Sequence, residues 1–134
     1  MSNGPVLGNG IPVSLPQGKT VCWTVTVQAA DSQFVQLRDS QGNVIFTATG
    51  ASPGGHSPTQ IGASSFVAGD ASGAYALFVG VNGGQAWSSV LWDSIPLMLD
   101  GTAMSTNLNF ISEDGADQDF NDSHTSITWF DRVG

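Results

Sequence analysis

The fold class is indicated most clearly by residues 20–28, TVCWTVTVQ. Apolar residues stand at every second position of this stretch, and Thr, Cys and Gln stand between them. Successive side chains of a β-strand point to opposite faces of its sheet, so this alternation is typical of a strand with one buried face. The stretch therefore predicts a half-buried strand that lies over a hydrophobic core.

Other short segments show the same strand character and are separated by turn residues. Residues 34–38 and 44–49 predict a hairpin around 39–43, and Asn82-Gly83 is a second hairpin signal, with 85–92 as the returning strand. No amphipathic helical pattern of useful length is present. About nine such strands predict an all-β fold, an antiparallel β-sandwich. Trp87 and Trp92 are interpreted as core residues, the alternative being stacking platforms for a sugar or a base.

The composition describes a single acidic domain of 134 residues. Its net charge is −8 with only three basic residues, which argues against binding to nucleic acids or to anionic membrane surfaces. The single cysteine, Cys22, permits no intramolecular disulfide and is interpreted as a small packed residue.

The N-terminal segment carries no recognisable targeting signal. Residues 1–10 are rich in Gly and Asn and are interpreted as a flexible arm, with 11–134 as the folded domain. Neither a signal peptide nor a membrane-spanning run is apparent. We therefore expect synthesis in the cytoplasm, and release or display at the cell surface would need a route that the sequence does not reveal.

The acidic residues are concentrated in residues 113–122, EDGADQDFND. Five of the eleven carboxylates of the chain lie here, together with the amide of Asn121. Crowded like charges repel one another unless a cation neutralises them. A hard divalent cation with oxygen ligands fits such a segment, and calcium fits best because its coordination shell is flexible. A solvated acidic loop is the alternative.

The spacing of the acidic segment also suggests a metal site. Asp117, Asp119 and Asn121 place oxygens at every second residue, as in the first half of an EF-hand loop. The complete EF-hand pattern fails, because Asp122 stands where glycine is required and Thr128 where glutamate is required. Five carboxylates exceed what one calcium ion needs, so we expect two neighbouring ions, with Asp119 and Asp122 as the bridging ligands.

Catalytic interpretations of the same segment are weaker. A glycosidase needs two separated carboxylates in different environments, whereas these are adjacent in sequence. A two-metal hydrolase usually has histidine ligands, but His56 and His124 are both interpreted as surface residues.

The pattern at residues 113–122, followed by Trp129, resembles the calcium-binding loop of the small bacterial two-calcium lectins that bind fucose and mannose, of which the Pseudomonas fucose-binding lectin is the type member. The preceding NLNF at 107–110 is similar to the same family. Weaker similarities lie upstream, at VSLP (13–16), IG (61–62) and VGVNG (79–83). The resemblance thus covers most of residues 11–134 and is specific at 107–129.

The resemblance implies a nine-stranded antiparallel β-sandwich that holds two adjacent Ca²⁺ ions. It implies that hydroxyls of a bound sugar complete the calcium coordination, while Asp114 accepts a hydrogen bond from a sugar hydroxyl. A main-chain carbonyl within 29–32 would contribute to the site. The choice between fucose and mannose would be tuned by Asp31, Ser32 and Gln33. The implied metal ligands of the loop are Glu113, Asp117, Asp119, Asn121 and Asp122.

The resemblance also implies a homodimer or homotetramer in which the C-terminus is shared between subunits. The terminal carboxylate, here that of Gly134, would reach a calcium ion of the neighbouring chain. The tail after Trp129 is two residues longer than in the family, so there are three alternatives: Gly134 still reaches that ion, Asp131 takes its place, or the ion keeps a water molecule. The expected function is a non-enzymatic, calcium-dependent lectin. The alternative is a structural or adhesion module that the ions merely rigidify.

Overall fold

The computed structural model describes residues 4–115 and 119–131. Within these ranges the chain forms strands and two short 3-10 turns, at Pro53–Gly55 and Asn82–Gly84, and contains no α-helix. No helix in the described part of the chain is long and apolar enough to cross a membrane. In chain order the strands are β1 (Val6–Leu7), β2 (Asn9–Ser14), β3 (Thr20–Val27), β4 (Gln33–Arg38), β5 (Val44–Gly50), β6 (Thr59–Val67), β7 (Ala74–Val81), β8 (Ala86–Trp87), β9 (Ser89–Leu99), β10 (Thr102–Glu113) and β11 (Ser123–Phe130).

The strands pair into two antiparallel sheets that face each other. The first has six strands in the order β1-β9-β10-β11-β3-β6. The second has five, in the order β2-β7-β4-β5 with β8 beside β7. The predicted antiparallel β-sandwich is confirmed, and nine strands remain when the two-residue strands β1 and β8 are set aside.

The core lies between the sheets and is built from the alternating apolar residues. Val21, Val25 and Val27 of β3 are fully buried, and the ring of Trp23 stacks on Phe46 of the opposite sheet with centroids 3.9 Å apart. Each such side chain stabilises the fold by about 1.5–3 kcal/mol relative to an exposed one. The interpretation of residues 20–28 as a half-buried strand is thus confirmed.

Three details differ from the sequence-based interpretation. Cys22 is exposed rather than packed, because it points away from the core on β3. Residues 85–92 do not form one returning strand, since β8 pairs with β7 whereas β9 belongs to the other sheet. Within the proposed arm, β1 pairs with β9 and β2 begins at Asn9.

Trp87 and Trp92, which were interpreted as core residues, both pack on other aromatic rings. Trp92 stacks on Phe110 with centroids 5.3 Å apart and packs against the core. Trp87 is half-buried and lies between the rings of Phe34 and Phe78, with centroid distances of 6.3 and 5.7 Å. The interpretation as a core residue agrees with the contacts of Trp92, whereas Trp87 packs on rings that lie outside the core cluster.

Three loops meet at one end of the sandwich. They are the β3–β4 loop (28–32), the β5–β6 loop (51–58) and the acidic β10–β11 loop (114–122). Ser52 joins the first two, because its backbone N–H donates to the carbonyl of Ala29 at 2.8 Å and its hydroxyl donates to the carbonyl of Val27 at 3.0 Å. This end of the fold therefore combines chain segments that are distant in sequence.

Candidate functional site

The acidic loop folds around the carboxylate of Glu113. This side chain is only 5% exposed and stands at the end of β10. Its two oxygens accept hydrogen bonds from the backbone N–H groups of Gly115, at 2.9 Å, and Phe120, at 3.1 Å. The loop therefore holds Glu113 in one orientation at the base of the cluster.

Asp122 is held from several sides. Its backbone N–H donates to Ser112 at 3.1 Å, and its carbonyl accepts from Gln28 at 3.1 Å, which ties the acidic loop to the β3–β4 loop. Its carboxylate accepts from the backbone N–H of Asp114 at 2.8 Å. Burial, together with the neighbouring carboxylates of Asp114 and Asp119, raises the pKa of Asp122 from 3.8 to about 6, and the hydrogen bond from the backbone N–H of Asp114 opposes this rise. A cation bound nearby would stabilise the charged carboxylate of Asp122 and so lower its pKa.

Three carboxylates converge at this point. One oxygen from each of Glu113, Asp119 and Asp122 lies within 4.8 Å of the other two. Glu113 and Asp122 are largely buried, whereas Asp119 is exposed to solvent. Mutual repulsion makes such a group unfavourable without a counter-charge, and oxygen donors of this kind are the ligands that Ca²⁺ prefers.

The amide of Asn121 lies against the carboxylate of Asp119. With its nitrogen towards Asp119, it donates hydrogen bonds of 2.8 and 3.1 Å. With its oxygen towards Asp119, two acceptors face each other, and only a cation shared between them makes the contact favourable. The choice between these orientations depends on the hydrogen-bond network. A bound calcium ion would select the second.

Four of the predicted metal ligands are therefore adjacent in space: Glu113, Asp119, Asn121 and Asp122. The donor set consists of oxygens alone, so its chemistry fits calcium. The other two predicted ligands, Asp117 and Gly134, lie outside the described residues.

A small cavity adjoins the carboxylates. It has a volume of about 270 Å³ and lies between the three loops. Sites for small molecules commonly measure about 300–1,000 Å³, so a compact polar ligand fits this space. The residues that line it are Gln28, Ala29, Ala30, Asp31, Gly55, His56, Asp114, Asp119, Asn121 and Asp122.

Gln33 lies beneath this cavity instead of lining it. Its side chain is fully buried, and its amide N–H donates to the carboxylate of Asp114 at 2.9 Å and to the carbonyl of Asp31 at 3.1 Å. One residue thus connects the acidic loop with the β3–β4 loop. Gln33 therefore helps to fix the positions of Asp31 and Asp114, which both line the cavity.

Asp31 and Ser32 occupy different environments. Asp31 is exposed and lines the cavity, as the sequence-based prediction required. Ser32 is not among the cavity residues, and its carbonyl accepts from the backbone N–H of Asn82 at 2.8 Å. Its predicted contact with a sugar therefore receives no support from the geometry.

His56 was missed as a cavity residue by the sequence-based interpretation. Its loop is held in place because Gln28 donates to the His56 carbonyl at 3.3 Å. The loop also approaches closely at Gly55, which has φ +83° and where a Cβ would lie 3.1 Å from the Cβ of Ala30. The run PGGH signals a tight turn, but contacts with the β3–β4 loop, such as that of Ser52 with Ala29, 23 residues away, bring it to the cavity. His124, by contrast, is exposed and contacts Asn109 at 3.1 Å.

Comparison with known families agrees with this arrangement. The chain matches the model of fucose-binding lectin II (PA-IIL) over residues 13–131. It belongs to this family. As a member of the PA-IIL family, the chain is a carbohydrate-binding lectin. No match was found among curated proteins.

Solved structures of similar fold include three bacterial lectins. The C-terminal domain of BC2L-C from Burkholderia cenocepacia is 23% identical, covers 100% of both chains and has a TM-score of 0.74. The Chromobacterium violaceum lectin CV2L, in complex with alpha-methyl-fucoside, is 24% identical over 92% of this chain and 96% of its own, with a TM-score of 0.70. A high-affinity mannose-binding lectin of Ralstonia solanacearum is 25% identical with the same coverages and a TM-score of 0.69. These similarities place the chain in a shared fold.

Proposed function

We propose that this PA-IIL family member is a calcium-dependent lectin for fucose- and mannose-type monosaccharides, and that it catalyses no reaction. The observation that carries the proposal is the convergence of Glu113, Asp119 and Asp122 within 4.8 Å beside a small polar cavity. The solved relatives support the ligand class, since one is in complex with alpha-methyl-fucoside and another is a mannose-binding lectin.

In this proposal two calcium ions are held by the acidic loop, with Asp117 joining the four ligands that lie together. Calcium has a flexible shell of oxygen ligands, so two vicinal hydroxyls of a sugar can replace water in it. Within the β3–β4 loop, the carbonyls of Ala29, Asp31 and Ser32 already accept hydrogen bonds. A main-chain carbonyl that joins the metal site is therefore best sought at Ala30 or the adjoining Gln28.

Asp114 is well placed to fix the orientation of a bound sugar. Its carboxylate is exposed at the cavity and is held from behind by Gln33. A carboxylate that accepts from a sugar hydroxyl forms a charge-assisted hydrogen bond, which is about twice as strong as a neutral one. Calcium coordination would thus supply affinity, and Asp114 would select the hydroxyl arrangement.

The contacts of Asp131 disfavour it as a ligand for a calcium ion of a neighbouring subunit, so we favour Gly134 for that place. Both carboxylate oxygens of Asp131 are engaged within the chain, by Trp129 and by Thr106, each at 3.0 Å. The Asp131 carbonyl also accepts from Lys19 at 2.8 Å. Asp131 would have to break these contacts to reach a neighbouring calcium ion, which argues against it as the shared ligand.

Glycan-array binding in calcium, in excess chelator, and after calcium is restored tests the function. We expect fucosylated and mannosylated glycans to bind in calcium, to be lost with the chelator and to return with the ion. A structural module would bind calcium but no glycan under any condition. Glycan binding that persists in chelator would contradict the calcium-dependent mechanism.

A further inference from the structure

A second cavity, here called the far cavity, lies at the end of the sandwich remote from the acidic loop. It has a volume of about 470 Å³ and lies between the β4–β5 turn (39–43) and the β6–β7 loop (68–73). Gln33, which contacts the acidic loop, begins β4, and the turn follows the end of that strand. The six residues of β4 span about 20 Å, so a ligand in the far cavity would not contact the candidate metal site.

Asp70 fixes the shape of the far cavity by joining its two sides. Its carboxylate accepts hydrogen bonds from the backbone N–H and the hydroxyl of Ser40, at 2.8 and 2.5 Å. It accepts two more from the backbone N–H and the hydroxyl of Ser72, at 2.9 and 2.6 Å. These bonds hold the pKa of Asp70 well below its usual range, and they occupy the roughly four acceptor positions of a carboxylate. Asp70 is therefore a structural residue of the cavity and has no acceptor position left for a ligand.

Three other polar groups that line the far cavity have unused hydrogen-bonding capacity. Tyr75 is only 5% exposed, and its hydroxyl accepts from the backbone N–H of Asp70 at 3.1 Å, whereas its own proton has no acceptor among the described residues. Asp39 accepts two hydrogen bonds on Oδ1 but only one, from Asn43, on Oδ2. The exposed side-chain amide of Gln41 forms no hydrogen bond within the described part of the chain. Buried polar groups are normally paired, so the free proton of Tyr75 indicates a ligand with an acceptor atom.

The far cavity also has an apolar wall. Ile45 is only partly buried against the core, Val67 is 62% exposed, and both line the cavity. The ring of Tyr75 packs against the tilted ring of Phe66, with centroids 6.5 Å apart, and this contact helps to hold Tyr75 in place. A ligand can therefore bury a small apolar group on Ile45 and Val67 while it pairs with the hydroxyl of Tyr75.

The free groups of the far cavity define the chemistry of a matching ligand. It needs an acceptor for the Tyr75 proton, a donor for Asp39 Oδ2 and a small apolar group for the wall. An acetamido group offers all three within a few atoms, as a carbonyl oxygen, an N–H and a methyl group. The amide of Gln41 both donates and accepts, so it suits the hydroxyls of a sugar ring that carries the acetamido group. No Lys or Arg is among the described residues that line the cavity, and its two carboxylates disfavour an anionic ligand.

We propose that the far cavity binds an N-acetylhexosamine, and that this binding needs no calcium. The acetamido carbonyl accepts the proton of Tyr75, and the acetamido N–H donates to Asp39 Oδ2. Its methyl group lies on the wall of Ile45 and Val67, while ring hydroxyls pair with Gln41 at the rim. These contacts are hydrogen bonds and apolar burial, so they require no metal ion. The site does not rest on the proposed function, and the two sites together would let one chain join two glycans about 20 Å apart.

The first test follows amide NMR signals of the full chain in excess chelator while sugars are added. Methyl N-acetylglucosaminide is the probe, and methyl glucoside, which has a hydroxyl in place of the acetamido group, is the control. We expect the probe to bind about tenfold more tightly, because the control leaves Tyr75 unpaired, and to shift signals of residues 39–43 and 68–73. Absence of binding, equal binding of both sugars, or shifts confined to the acidic loop would overturn the proposal. Equally tight binding of N-acetyl-lysine amide would overturn the assignment of the ligand as a sugar.

The second test repeats this titration with three variants. Tyr75→Phe removes the hydroxyl and keeps the ring, so the Kd of the probe should rise about tenfold. Gln41→Ala shortens an exposed side chain that has no described partner, so the fold is retained and the Kd should rise about threefold. Gln85→Ala, in an exposed turn position at the other end of the sandwich, is the matched control and should bind like the native protein.

Thermal unfolding shows whether Tyr75→Phe, which also loses its hydrogen bond with Asp70, is folded. Gln41→Ala keeps the test decisive if it is not. Native affinity for the probe in Gln41→Ala and in folded Tyr75→Phe would overturn the proposal. Binding of methyl fucoside in calcium should be the same in all three variants, so failure of this site and failure of the proposed function are distinguishable.

Discussion

Replacing Gln33 by Leu is expected to lower sugar affinity and to reduce stability only modestly. The variant loses the hydrogen bond to the Asp114 carboxylate, worth about 1.5–3 kcal/mol, and the one to the Asp31 carbonyl, worth about 0.5–1.5 kcal/mol. It also removes the Gln33 side-chain oxygen, which is buried without a partner among the described residues. Relief of that unpaired acceptor offsets about 1–3 kcal/mol. The terms together give a change in the free energy of unfolding that lies between a gain of about 1 kcal/mol and a loss of about 3.5 kcal/mol.

Sugar binding responds differently, because Asp114 loses the contact that orients it. If its hydrogen bond to the sugar hydroxyl is weakened by about 1.4–2.8 kcal/mol, the Kd rises about 10- to 100-fold. Isothermal titration calorimetry with methyl fucoside and methyl mannoside in excess calcium measures this change, and thermal unfolding measures stability. The number of calcium ions bound should not change, since Gln33 is not one of the proposed ligands.

Gln36→Leu is the matched control, because Gln36 lies on the same strand but its side chain contacts Thr47 and Arg38, away from the cavity. Its sugar affinity should equal that of the native protein. The reasoning is refuted if Gln33→Leu binds sugar within twofold of the native protein, or if both variants lose affinity equally.

Three further predictions concern the same end of the sandwich. Asp119→Ala removes an exposed member of the carboxylate group, so calorimetry should show no sugar binding while circular dichroism shows an intact sandwich; normal sugar binding would contradict the two-calcium site. His56→Ala removes a side chain at the rim of the cavity, so the Kd for sugar should rise by no more than about tenfold while calcium binding stays unchanged. Loss of calcium binding in this variant would contradict the placement of His56 at the cavity rim, away from the metal ligands. The third prediction concerns pH in the calcium-free protein. Because the pKa of Asp122 is raised from 3.8 to about 6, the native state holds more protons than the unfolded state in that window, and the free energy of unfolding should fall as pH rises from 4 to 6. Calcium should abolish this decline in thermal melts, and a rise of stability across the same window without calcium would show that the sign is wrong.

The fold class was predictable because local pattern and burial agree. The alternation in residues 20–28 requires one buried face, and Val21, Val25 and Val27 are indeed fully buried. The carboxylate cluster was predictable to the extent that its members are close in sequence. Glu113, Asp119, Asn121 and Asp122 all lie in a single loop, so their convergence needs no knowledge of the sheet topology.

The remaining features depend on contacts between distant parts of the chain. Gln33 meets Asp114 across 81 residues, and no local pattern predicts this contact, although alternation with Val35 and Leu37 places the Gln33 side chain on the buried face of β4. His56 reaches the cavity because the β3–β4 and β5–β6 loops are joined by the contacts of Ser52 with Ala29 and of Gln28 with His56. The prediction that Cys22 is packed was wrong. Alternation along β3 separates an inward from an outward face, and Cys22 lies on the outward face.

The proposed function requires that two calcium ions in the acidic loop hold the sugar. Calorimetric titration of calcium into metal-free protein, followed by methyl fucoside or methyl mannoside into the same sample, tests it most directly. We expect two calcium ions per chain and sugar binding that appears only after both sites are filled. A stoichiometry well below two, or sugar binding of equal strength before calcium is added, would contradict it.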